Sequence, residues 1–369
     1  MFLSAWHGAW LLSALSISFY GNRIFKKAVF MSDKIYFLLL VVGTMSCSAP
    51  KVIEQQVSKP DGRYDSEYPV KNLSGELSYI SKTVKKLDCI AFYRSYLFSP
   101  DNTVDLHQIN DSVLELNAVG SSVTNQSVSG TATVVYYANN LVGMLTCAHV
   151  VDFPDTVVIR YDNGTGPVEV LSVKLRQSNY VKGLPSGGST DVVALDKYHD
   201  LALLMKRLDD TGGDGIPVLN YPVGRSKELD WGSLVYVMGY PLGNLMVIRA
   251  VVSKPAGRLK DRFLTDALYN RGISGSPVLA IRDGIPNFEL VGIASSAAAQ
   301  NFFYVKPDNE AAEYINTDET YSGNLFVDRK RMIKYGVTYN VSIETIMDFL
   351  SKNNDQISAN GFIPDYFFK

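Results

Sequence analysis

The sequence predicts an all-β protein organised as two barrels, and three observations carry that prediction. From Asp111 onward the apolar residues fall in short β-compatible runs separated by turn residues. No helical pattern alternates with those runs, which disfavours a βαβ arrangement. A Gly/Asp-rich connector, Asp209 to Gly215, divides the runs into two series. Composition agrees: 22 Tyr and 28 Gly among 369 residues lean towards β structure, and a 46% hydrophobic fraction is that of a globular chain. A formal net charge of −2 gives no footing for nucleic acid as a partner.

The N-terminal quarter reads differently. Residues 1–30 hold an apolar stretch too short to span a bilayer, and read as an over-extended start or leader. Met31 opens a better one: a charged n-region, an apolar run from Ile35 to Val42, then Gly43-Thr44-Met45-Ser46-Cys47. Residues 31–47 therefore read as a secretory signal. The segment resembles a bacterial lipoprotein signal, which implies lipid on Cys47, a membrane partner through that anchor, and a place in the bacterial cell envelope, periplasmic or on the outer membrane. Without the lipid the protein would be secreted. Residues 48–72 are polar, with prolines and charges, and read as a flexible tether. In 73–110, Leu77, Ile80, Val84 and Leu87 recur at helical spacing before a β-like Ile90 to Tyr93, so this part reads as a small N-terminal elaboration.

The first series of predicted strands is Val113 to Leu116, Thr131 to Tyr137, Leu141 to Thr146, Thr156 to Tyr161, Val168 to Leu175, Asp191 to Leu195 and Leu201 to Met205. The second is Ser233 to Met238, Leu245 to Val252, Arg262 to Thr265, Pro277 to Ile281, Phe288 to Ser295 and Tyr335 to Val341, with Asp283-Gly284 as a hairpin signal. These place one barrel at about 111–210 and another at about 216–345. Residues 306–333 are polar and irregular and read as a loop insertion. Ile343, Ile346, Met347 and Leu350 predict a terminal helix, leaving 356–369 as a tail.

The candidate chemistry lies in Asn270-Arg271-Gly272-Ile273-Ser274-Gly275-Ser276-Pro277. A serine between glycines at the mouth of a strand suits a nucleophile, and the Gly272 and Ser274 amides can point at one oxyanion. The chain has four histidines: His7, His107, His149 and His199. His149 ends a strand in Thr-Cys-Ala-His-Val-Val, and Asp200 opens one in Asp-Leu-Ala-Leu-Leu. Acyl transfer by serine needs a base for the hydroxyl proton and a carboxylate to orient that base. No histidine follows Ser274, which excludes the α/β-hydrolase order. Cys47, Cys89 and Cys147 are too scattered for a disulfide framework or a zinc site, and no cofactor is called for.

These pieces resemble a trypsin-like (chymotrypsin-fold) serine peptidase, closest to the bacterial HtrA/Deg branch. The matching residues are Gly130 to Val135, Thr146 to Val151, Asp200 to Leu204, Met238 to Gly243, Thr265 to Ala267, Asn270 to Pro277, Leu290 to Ser295 and Tyr335 to Val341. The resemblance implies two perpendicular six-stranded barrels within a peptidase domain of about residues 111–355. It assigns His149 as general base, Asp200 as its orienter, Ser274 as nucleophile, and the Gly272 and Ser274 amides as oxyanion hole. It further implies that Ala294, Ser295 and Ser296 line the edge where a peptide substrate adds as a strand. Leu268, six residues before the nucleophile, falls at the floor of an apolar side-chain pocket, with Tyr269 beside it. Two departures stand out. Ile273 replaces the usual Asn or Asp, and the stretch after Leu350 is too short for a PDZ domain. They leave open a second reading: the same fold kept as an envelope binding or scaffold protein with an idle triad.

Overall fold

The computed structural model describes residues 60–69, 71–101, 111–161, 166–185, 187–209, 215–257, 261–307, 318 and 320–368. The leader, the signal segment, Cys47 and most of the tether and connector lie outside them.

The first barrel starts earlier in the chain than the sequence indicates. Strand β1 (Val84–Leu97) pairs on one side with β2 (Gly120–Ala138) and on the other with β5 (Val168–Val181). Between them run β3 (Leu141–Thr146), β7 (Leu201–Arg207) and β6 (Ser189–Asp196), so the order β1-β2-β3-β7-β6-β5 returns to β1 and closes. A seventh strand, β4 (Thr156–Arg160), hangs on β5. The elaboration expected at 73–110 thus reduces to helix α1 (Ser74–Thr83), and β1 is a barrel stave. Leu87, Cys89, Ala91 and Tyr93 alternate inward from β1, the period of a half-buried strand. Val84 and Leu87 continued the helical phase of Leu77 and Ile80 only by coincidence. The strand expected at Val113 to Leu116 is instead a short helix, α2 (Asp111–Asn117).

The second barrel is β8 (Leu234–Gly239), β9 (Met246–Lys254), β10 (Arg262–Thr265), β11 (Pro277–Ile281), β12 (Phe288–Pro307) and β13 (Leu325–Ser342), closed in the order β10-β13-β12-β11-β8-β9. All pairings in both barrels are antiparallel. The predicted loop insertion is a correction. Its flanks extend β12 and β13 into a two-stranded arm, paired from Ala299↔Ile333 to Pro307↔Leu325 and carrying exposed Phe303, Val305, Leu325 and Val327.

The two chain ends of the described fold are both fastened. Part of the supposed tether is pinned to the second barrel: Asp65 N donates to Ile281 O (2.9 Å), Leu234 N donates to Asp65 O (2.8 Å), and the Tyr64 hydroxyl donates to Glu289 (2.6 Å). Helix α3 (Ala148–Val151) is a single turn after β3; at the other end, helix α4 (Ile343–Lys352) is capped by Ser342, whose Oγ accepts from Thr345 N. It lies against β12 and β13, and α5 (Asn354–Ala359) lies against β6 of the first barrel. The expected tail is a folded clasp there: Phe362 and Phe367 pack on Tyr136 with ring centroids 4.9 and 5.0 Å away, and Ile363 N donates to the Tyr136 hydroxyl.

Candidate active site

Register explains why His149 and Asp200 meet. Thr146 at the end of β3 pairs with Ala202 near the start of β7. In an antiparallel pair those ends are neighbours, so the turn of helix α3 (Ala148–Val151) faces the residue that opens β7. Asp200 takes a left-handed backbone conformation (φ 62°) as it turns into β7, which aspartate tolerates better than most side chains. One carboxylate oxygen, Oδ1, accepts from the His149 backbone N–H at 2.9 Å, and both oxygens lie 2.9 Å from Nδ1. Oδ2 also accepts from Ser295 Oγ at 2.5 Å. Burial alone would raise the Asp200 pKa, but the bonds from His149 and Ser295 outweigh it and hold the carboxyl below its usual range.

Ser274 arrives from the second barrel, on the turn before β11. Its Oγ lies 2.9 Å from His149 Nε2. The turn is fixed by glycines where no side chain would fit. Gly272 has φ +104°, and an added Cβ would strike the Tyr240 carbonyl; Gly275 has φ +88°, and an added Cβ would strike the Thr131 carbonyl. Thr131, on β2 of the first barrel, pins the turn across the cleft. Its N–H donates to Ser274 O (2.8 Å), and its hydroxyl donates to Gly272 O (2.7 Å) while accepting from Tyr240 N (3.0 Å). Ile273 is fully buried in the core of the second barrel and anchors this loop by apolar packing. The carbonyls of Asn270, Arg271, Gly272, Ile273 and Ser274 are all engaged, Arg271 O by Leu242 N at 2.8 Å. Among the described residues, neither the Gly272 nor the Ser274 amide donates to a protein acceptor, which leaves both able to receive an anion.

The structure therefore brings His149, Asp200, Ser274, Gly272 and Ser295 together. Ala294 is fully buried behind them, its carbonyl accepting from Gly275 N (2.8 Å) and Cys147 Sγ (3.4 Å), and Ser296 is half-buried on the same strand. Leu268 is a correction: it is 60% exposed and floors nothing, because the side chain turned inward at this point is the next one, Tyr269. The Tyr269 hydroxyl lies 2.6 Å from Ser274 Oγ and 3.1 Å from Ser295 O. Burial pushes its pKa up to about 12, so it stays a neutral phenol. A tyrosine five residues before a candidate nucleophile was the available signal, and a count of six from Ser274 runs one residue past it.

His199 stands apart. Its Nδ1 pairs with Asp196 at 2.6 Å within one turn. Cys147, His149 and Asp200 each place a donor atom within 4.8 Å of the others. Their chemistry is that of a hydrogen-bonded dyad rather than a metal cradle: complete burial holds the Cys147 thiol protonated, and both Asp200 oxygens are already used.

Two antiparallel barrels with a serine, histidine and aspartate meeting in the cleft define a chymotrypsin-like architecture. Residues 130–293 match the family model of the trypsin-like peptidase domain, a match that fits a protease of the hydrolase class. No curated protein matches the chain.

Proposed function

We propose that the protein is a serine endopeptidase that cleaves peptide bonds through an acyl-enzyme on Ser274. The carrying observation is the continuous chain Asp200–His149–Ser274, with 2.9 Å at each junction, beside two amides that have no acceptor among the described residues. His149 Nε2 takes the Ser274 hydroxyl proton as Oγ bonds to the substrate carbonyl carbon. The developing oxyanion is received by the Gly272 and Ser274 amides. The carbon–nitrogen bond then breaks, and the leaving amine takes the proton from His149. Water repeats the sequence to release the acid. Asp200 keeps Nδ1 protonated and facing it throughout. The order and content of the motifs favour the HtrA/Deg branch of the family. The signal-like segment before Cys47 favours a lipid-anchored protein of the cell envelope, which mass spectrometry of the mature N-terminus and membrane fractionation would test.

The enzymatic test is labelling by a fluorophosphonate together with hydrolysis of unfolded casein, for the wild type and Ser274→Ala. Labelling and cleavage that both vanish in the variant support the reading. Equal cleavage by both proteins overturns the mechanism. If neither labels nor cleaves, the fold serves as a binding module instead.

A further inference from the structure

We propose that the Tyr269 ring occupies the side-chain pocket beside Ser274 and restricts cleavage to bonds that follow a small residue, glycine or alanine. This deepens the serine-endopeptidase reading and rests on it. The phenol oxygen bridges two groups, Ser274 Oγ at 2.6 Å and Ser295 O at 3.1 Å. Those groups flank the one substrate residue whose carbonyl is attacked. Its carbonyl carbon must reach Ser274 Oγ while its oxygen meets the Gly272 and Ser274 amides. Its backbone must lie along the strand edge at Ala294 to Ser296. The side chain of that residue leaves its Cα next to both groups, and Tyr269 already fills this space.

The ring is built in. Tyr269 is 8% exposed and belongs to the apolar cluster that holds Ala267, Ile273 and Ala294, with Ala297 and Ile333 packed alongside. Its hydroxyl lies within hydrogen-bond distance of two site atoms, Ser274 Oγ and Ser295 O, and as a neutral phenol it stays able to bond there. A leucine or phenylalanine side chain entering here must expel a buried ring and break both bonds. Glycine or alanine need do neither. A misfit of even one methylene in such a pocket discriminates by roughly 10- to 200-fold, so alanine should be favoured over leucine or phenylalanine by at least about 10-fold.

The test uses peptidyl diphenyl phosphonates that differ only in the residue at the attacked position: alanine, leucine or phenylalanine. In each, the Ser274 Oγ–P bond forms, a P–O bond to phenoxide breaks, and phenoxide takes the serine proton by way of His149. Labelling rates are measured on the purified protein, Tyr269→Phe and Tyr269→Ala, beside a fluorophosphonate that carries no side chain. The wild type should label with the alanine probe at least about 10-fold faster than with the others. Tyr269→Phe, which keeps the ring, should hold that preference. Tyr269→Ala should narrow or reverse it. If removing the ring prevents folding, Tyr269→Leu is read in the same way. Equal rates for all three probes on the wild type, or an unchanged ratio once the ring is gone, overturn the proposal. Failure of the peptidase reading shows separately: the fluorophosphonate then labels no variant, and the proposal falls with it.

Discussion

Among the described residues there are two histidine–aspartate pairs, and they differ in almost everything except their chemistry. His149 and Asp200 come from the ends of two paired strands, 51 residues apart, and His149 presents its other nitrogen to a serine from the second barrel. His199 and Asp196 close within a single turn, three residues apart, with Tyr198 packed edge-on against the imidazole. The second pair is the shorter, at 2.6 Å, yet among the described residues no serine hydroxyl is hydrogen-bonded to its imidazole. A charged partner on Nδ1 orients an imidazole; it does not make a base useful. What distinguishes the first pair is the third residue, and that residue is delivered by a contact between barrels.

Four perturbations test this contrast. The largest effect belongs to the third residue: Ser274→Ala should lower turnover of an unfolded protein substrate by about 10⁴–10⁶, leaving the rate that binding and the amides sustain. Next, Asp200→Asn should lower turnover by about 10⁴, because an amide supports the wrong His149 tautomer, whereas Asp196→Asn should leave kcat/KM within about twofold. Thr131→Val is smaller and probes delivery. It keeps the shape but strips the hydroxyl from Gly272 O and Tyr240 N, so urea unfolding should show a loss of about 1–3 kcal/mol, with turnover falling too. Turnover that is unchanged despite that loss would mean the pin supports the fold and not the site. The smallest is in acid. Both carboxylates are pulled below the usual aspartate range, against burial, by hydrogen bonds from their histidines. Each therefore adds stability that is present above about pH 4 and is lost as the pH falls through its lowered folded value. Either Asp→Asn change should flatten the dependence of Tm on pH below about 4, and an unaltered acid limb would contradict the assignment.

Much of this was legible in the chain itself. Pro277–Ile281 and Arg262–Thr265 begin and end where the residue pattern places them, since both are short, apolar and bounded by turn residues. His149, Asp200 and Ser274 were readable because their flanking strands are. Other parts carried no such signal. Beyond the Ala299↔Ile333 pair the extended arm of β12 and β13 is exposed on both faces at most positions, so burial imposes no alternation on its sequence and it reads as irregular. Val113 to Leu116 is too short for period to separate strand from helix. At Leu268 and Tyr269 the failure is one of phase: which of two adjacent side chains turns inward is set by the backbone of a tight loop, and the residues flanking it do not specify that.

The aromatic clasp of Phe362 and Phe367 on Tyr136 has a mechanical consequence. The chain leaves the first barrel, builds the second, and returns through α4 and α5 to seal against the first again. Two rigid halves joined by one connection can swing like a door. Joined at both ends, they form a loop that must be peeled before the cleft can gape.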